Sequence, residues 1–199
     1  DYEIILPAGT IDLPTISATA NDSNATITIT LVLELPGTAV VTVTAEDEVT
    51  TSTYSIYFIP QYFIAVSSNP SFGGTITGAG NYVHGSQVNL IATPNEGYEF
   101  VDWTDNGVQV STKTNYSFTA DADRALVANF KLKTYIIMST AGVGGTVTPN
   151  GIVKVIHGTD EQFTIASDHG YEIEEVIVDG VSVGVVNTYN FDNVTRDHT

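Results

Sequence analysis

The second part of this sequence is written twice. Tyr62-Phe63-Ile64 returns as Tyr135-Ile136-Ile137, Gly73-Gly74-Thr75-Ile76-Thr77 as Gly144-Gly145-Thr146-Val147-Thr148, and His84-Gly85 as His157-Gly158. Further on, Gly97-Tyr98-Glu99-Phe100 returns as Gly170-Tyr171-Glu172-Ile173, Asn106-Gly107 as Asp179-Gly180, and Tyr116-Ser117-Phe118 as Tyr189-Asn190-Phe191. The offset stays between 71 and 74 residues, so the register holds over nearly the whole unit. Self-similarity at a fixed period implies tandem copies of one folding unit.

Each recurring element has a physical reading. Asn106-Gly107 and Asp179-Gly180 lie between apolar runs, and both central residues of a type I′ turn need positive φ, so each copy is expected to hold a tight hairpin. The Gly-Gly and His-Gly pairs mark bends or close backbone approaches that a Cβ would hinder. Tyr116 with Phe118, and Tyr189 with Phe191, fall two apart on one strand face, a pattern of core positions. The first copy ends in an alternating run, Ala125-Leu126-Val127-Ala128-Asn129-Phe130. Asp197-His198-Thr199 stand level with Asp123 to Ala125, so the strand that closes the second copy is expected beyond the sequence in hand.

Residues 1 to 60 carry no copy of this unit. They alternate in short runs, Tyr2 to Leu6, Thr15 to Ala20, Ala25 to Leu33, Ala39 to Ala45 and Thr53 to Phe58, broken by Pro-Ala-Gly, Asn-Asp-Ser-Asn and Leu-Pro-Gly. Period-2 patterning with frequent turn signals predicts an immunoglobulin-like β-sandwich, with its first strands lying before residue 1. The chain is rich in threonine and valine, whose branched Cβ suits a pleated sheet better than a helix. An all-β chain of three modules follows: residues 1–60, 61–132 and 133–199, meeting near Pro60-Gln61 and Lys131 to Lys133 in an elongated arrangement.

Charge narrows the function. Six basic residues against 23 acidic ones leave a net charge of −17, which repels nucleic acid and anionic membranes. There is no cysteine, hence no disulfide, thiol nucleophile or zinc-thiolate site. No apolar run is long enough to span a bilayer as a helix, and Asp1-Tyr2-Glu3 is not the basic start of a signal peptide. Leu35-Pro36-Gly37-Thr38 has the letters of a sortase signal but lacks the apolar tail and basic end, and reads as a turn.

The residues that could carry chemistry do not converge in sequence. His84 and His157 hold equivalent turn positions in separate copies, His169 precedes the Gly-Tyr turn, and His198 is near the end; no pair has the i, i+4 spacing of a helical zinc site. Asp121 with Asp123 and Glu174 with Glu175 are carboxylate pairs without an apolar pocket to raise a pKa. Asp22, Asp47, Glu48, Asp121 and Asp123 fall at turns where calcium could bind, but none forms a 12-residue loop pattern. The sequons at Asn21, Asn24, Asn115 and Asn193 would matter only in a eukaryotic secretory protein. No catalytic residue, metal ligand or cofactor site is expected. Trp103, the only tryptophan, is expected to be a core anchor sharing a strand face with Val101, since the aligned residue of the second copy is the apolar Val176.

Positions 62 to 131, with Gly-Gly-Thr-Ile-Thr-Gly, Asn89-Leu-Ile-Ala-Thr-Pro94, Gly97-Tyr-Glu-Phe-Val-Asp-Trp103 and Leu126-Val-Ala-Asn-Phe130, resemble the divergent internalin B-type B-repeat, or bacterial repeat domain. Residues 134 to 199 resemble a more distant copy, with Val176-Ile-Val-Asp-Gly-Val-Ser-Val-Gly184 in place of the Trp-containing segment. Residues 1 to 60 are similar to bacterial immunoglobulin-like or cadherin-like modules. The resemblance implies β-grasp-like repeats and a spacer or adhesion role in a multidomain bacterial protein at the surface or outside the cell, with no catalytic residues to carry over. A monomer with a protein or glycan ligand is expected. The alternative is a glycan-binding accessory module of a secreted carbohydrate-active enzyme, which would need a row of exposed aromatics.

Overall fold

A computed structural model describes all of residues 1–199. The chain is all-β, with 18 strands and no helix. No helix is long and apolar enough to cross a membrane. Two compact units form: one from residues 1–71, 75–93 and 102–129, the other from 72–74, 94–101 and 130–199.

In the first unit, β1 (Tyr2–Leu6), β2 (Thr26–Thr30), β3 (Gly37–Thr44) and β4 (Thr51–Asn69) make a sheet in which β4 pairs antiparallel with β3 and parallel with β1. Its core holds Val32, Ala39 and Phe58, with Leu6, Ile16, Leu35 and Ile56 packed around them. Thr15–Ala20, expected as a strand, is irregular. Its one core contribution is Ile16, and a single apolar anchor holds a loop without requiring a ladder.

The strand β4 runs through Pro60-Gln61 without a break. Beyond that point it gains new neighbours: β6 (Gly80–Val83) from Gln61 onwards and β11 (Arg124–Leu132), parallel, from Ile64 onwards. Next to β11 come β8 (Tyr98–Asp105) and β9 (Val108–Ser111), giving the order β4-β11-β8-β9. A second sheet, β10-β7-β5, is built from β5 (Gly74–Thr77), β7 (Gln87–Pro94) and β10 (Asn115–Thr119). Ile64, Val88, Leu90, Ala92, Trp103, Ala120, Leu126 and Ala128 are buried. Alternation on β7 and β11 supplies most of them, as the period-2 rule requires.

The second unit repeats this plan with one difference. β12 (Thr134–Ser139) pairs with β14 (Gly151–Ile156), β13 (Gly145–Thr148), β15 (Glu161–Ser167) and β18 (Thr188–Phe191) form a sheet, and β16 (Val176–Val178) pairs with β17 (Val181–Gly184). Its core is Ile137, Val155, Phe163 and Val194, with Tyr135, Val147, Val153 and Phe191 against it. The sheet β4-β11-β8-β9 thus has a counterpart split into β12-β14 and β16-β17.

Candidate functional site

The two copies agree bond by bond. His84 N donates to Pro60 O at 2.8 Å and His157 N to Lys133 O at 2.9 Å; Gly85 N donates to Ala120 O and Gly158 N to Val194 O. Asn95 N reaches Gly73 O as Asp168 N reaches Gly144 O. Both hairpin turns form as expected, with φ of 49° and 79° at Asn106-Gly107 and 50° and 77° at Asp179-Gly180.

The histidines belong to this frame. His84 Nδ1 lies 3.4 Å from Tyr62 Oη with the rings edge to face, and His157 stacks at the same distance, 5.9 Å between ring centroids, on Tyr135. The His157 ring also lies over Gly97, whose φ is +77°; a Cβ there would come within 2.1 Å of the imidazole. His169 is exposed beside Gly170. His198 packs 4.7 Å from the Phe191 ring and places Nδ1 2.8 Å from Asp179 Oδ2.

Most of the carboxylates singled out in the sequence hold backbone or a neighbouring cation. Asp123 accepts from Phe63 N at 2.7 Å, and its counterpart Asp197 accepts from Ile136 N at 2.8 Å, so each copy uses an aspartate to start the parallel pairing. Asp121 pairs with Arg124, whose guanidinium lies 4.7 Å over the Phe118 ring. Asp22 accepts from Asn24 N. Asp47 is held below the usual carboxylate range by Thr50 Oγ1, then by the backbone N–H groups of Thr50 and Val49, while Glu48 takes φ 59° in the same turn. Glu174 and Glu175 are exposed at the rim of a cavity. No three His, Cys, Asp or Glu side chains come together as a metal site would require.

Trp103 is fully buried, and its Nε1 donates to Thr114 O at 3.3 Å. Val101 departs from the expectation that it shares that burial, being 39% exposed. The register of β8 against β9 begins only at Trp103 and shifts between Trp103 and Thr104, so Val101 lies beyond that pairing. Phe100 meets Phe130 edge to face at 5.7 Å.

Asp179 is the most connected acid in the second unit. Its carboxylate accepts from Thr199 N at 3.0 Å, approaches His198 at 2.8 Å and Arg196 at 3.1 Å, and these contacts, the Thr199 bond foremost, lower its pKa below the ordinary 3.8. A lowered folded pKa gives stability that is present above the unfolded value and lost as pH falls through the folded one. Residues Arg196 to Thr199 are therefore expected to loosen below about pH 3.8, and Asp179→Asn to loosen them at neutral pH. Amide chemical shifts of His198 and Thr199 followed through an acid titration check this; a transition well above that range would contradict it.

What sequence reasoning did not find is a cavity of about 680 Å³ in the second unit, lined by Ile137, Val147, Phe163, Val176, Val178 and Phe191 among others. In the first copy the corresponding space holds β11, whose Leu126 and Ala128 are buried. The smaller Val176 in place of Trp103 was the one available signal.

Among known proteins, a gellan lyase from Bacillus sp is 48% identical over 58 residues, which is 29% of this chain. The chain covers only 2% of the length of that relative. No solved structure matches. The segment that carries the first copy, residues 64–134, matches the divergent InlB B-repeat domain.

Proposed function

We propose that this chain is a non-catalytic structural or adhesion segment of a larger bacterial protein that works at the surface or outside the cell, with repeat units at 61–132 and 133–199 after a module at 1–60. The observation that carries this reading is where the repeated polar groups are spent: His84 and His157 pack on tyrosines, and Asp123 and Asp197 hold backbone N–H groups. An enzyme needs a nucleophile, acid or base converging with an electrophilic group around a reacting atom. Here the groups that recur hold the frame. The match to a repeat domain at 64–134 supports the same reading.

One observation favours a second reading, a glycan-binding accessory role: the relative named gellan lyase. Tyr2 and Tyr54, on the same face of paired strands of the first unit, are exposed and could meet sugar faces. The expected result of incubating the chain with glycosidic, ester and peptide substrates is no turnover. Calorimetric titration with gellan and a glycan array then separates the readings. Saturable binding lost in Tyr54→Ala would give the lead to the accessory role, and turnover of any substrate would overturn both.

A further inference from the structure

We infer that Asn106 is a self-modification site: its side-chain amide is lost as ammonia through attack by the backbone nitrogen of Gly107, leaving aspartate or isoaspartate at the tip of the β8–β9 hairpin. The substrate is the chain itself and the co-reactant is water. The chain holds two Asn-Gly pairs, Asn106-Gly107 and Asn150-Gly151, and the fold treats them differently.

The step balances. The Gly107 nitrogen gives up its proton and bonds to Cγ of Asn106, the Cγ–Nδ2 bond breaks, and ammonia leaves, closing a cyclic imide. Water then opens either C–N bond of the ring. Cleavage at Cγ yields aspartate, whereas cleavage at the backbone carbonyl routes the chain through Cγ and adds a methylene to the turn. Glycine favours the attack because no Cβ crowds its nitrogen.

The geometry leaves Asn106 open to this reaction. Residues Asn106 to Gln109 are all exposed, and nothing lies within 4 Å of a Cβ placed on Gly107. The Asn106 amide bonds only to Asp105 Oδ1, at 3.2 Å, and the Gly107 N–H takes no backbone partner. Ring closure needs a backbone torsion that a type I′ turn does not provide, so the hairpin must open first. Opening is local there. β9 is a four-residue edge strand, held to β8 by Trp103–Ser111, Thr104–Gln109 and Asp105–Val108 with a register shift after Trp103. Asn150-Gly151 is held more firmly: Gly151 pairs with Ser139, Ser139 Oγ donates to Pro149 O at 2.7 Å, and the β12–β14 ladder carries the buried Ile137 and Val155.

The second copy already has an acid at this place. Asp179-Gly180 stands where the first copy has Asn106-Gly107, and Asp179 meets His198, which is level with Arg124. In the first copy Arg124 lies 3.8 Å from Asp105 Oδ2, so an aspartate at 106 gains a cation close by. The aspartate product therefore keeps the hairpin, while isoaspartate lengthens the two-residue turn and disturbs the β8–β9 register.

The test holds the full chain folded at mildly alkaline pH, with a parallel sample in urea. Peptides spanning each pair are followed by mass spectrometry, using fragmentation that separates aspartate from isoaspartate. In urea the two pairs should convert at similar rates. In the folded chain Asn106 should convert about tenfold faster than Asn150, the ratio that a difference of about 1.4 kcal/mol in opening free energy produces. Gly107→Ala should slow the loss of ammonia in both samples. Hydrogen exchange at Val108 and Gln109 should quicken in the isoaspartate product and stay unchanged in Asn106→Asp. Equal conversion of the two pairs in the folded chain would overturn the assignment, as would an intact Asn106 there while the urea sample converts. Unslowed conversion in Gly107→Ala would overturn the route through the Gly107 nitrogen.

Discussion

Trp103→Ala is expected to unfold the first repeat, or bring it close to unfolding, at a cost of roughly 3 to 5 kcal/mol. The indole is the largest of the fully buried side chains, a set that includes Ile64, Leu90 and Leu126 from three other strands. Its removal loses apolar burial, leaves a void that a close-packed interior fills only in part, and strips Thr114 O of a donor. Total stability of small domains is about 5 to 15 kcal/mol, so a loss of this size consumes much of the margin. Urea unfolding followed by circular dichroism measures it. Trp103→Phe should lose less, since it keeps a ring in the cavity and forfeits the hydrogen bond. A midpoint for Trp103→Ala close to the parent's would mean that the buried indole contributes little to the fold.

The all-β class, the duplication and the two hairpins were legible because they rest on local rules. Asn-Gly and Asp-Gly state the sign of φ in the sequence itself, and alternation assigns Leu126, Ala128 and Phe130 to one face without knowledge of the partner strand. Thr15–Ala20 misled for the same reason: it alternates, but whether an alternating run joins a ladder depends on a neighbour it does not encode. Pro60 is subtler. A proline reads as a stop, yet β3 leaves β4 at Phe58, β1 leaves at Pro60, and β6 begins at Gln61. The proline sits where β4 exchanges partners, the place along a strand at which a missing N–H costs least. The cavity in the second unit left one local signal, the smaller Val176 at the position of Trp103, and its extent depends on contacts between residues distant in sequence. Even the site residues followed this division: the histidines were legible as turn residues, whereas the bond from Asp123 to Phe63 N spans 60 residues and only the fold discloses it.

Gly78→Ala is expected to destabilise the first unit by about 2 to 5 kcal/mol, combining backbone strain with a steric overlap. Gly78 has φ of +99°, outside the region a side chain tolerates easily, and a Cβ there would stand 2.2 Å from the carbonyl oxygen of Asn89. That oxygen belongs to the backbone of β7, which is paired with β10, so it cannot turn aside as a flexible side chain could. The same Cβ would press at 3.1 Å on Leu90, itself fully buried, and the shift would disturb the Gly78 carbonyl that accepts from Tyr82 Oη at 2.7 Å. Gly107→Ala provides the contrast: its φ is +79°, but nothing lies within 4 Å of the new methyl, so only the left-handed penalty of about 1 to 2 kcal/mol remains. The difference between the two variants, measured by denaturant unfolding with equal m-values, isolates the close approach of the two backbones. Equal losses would show that β5 and β7 can separate enough to admit a methyl group. The aligned residue of the second copy is Pro149, so a larger loss at Gly78 would also mark this approach as a requirement of the first copy alone.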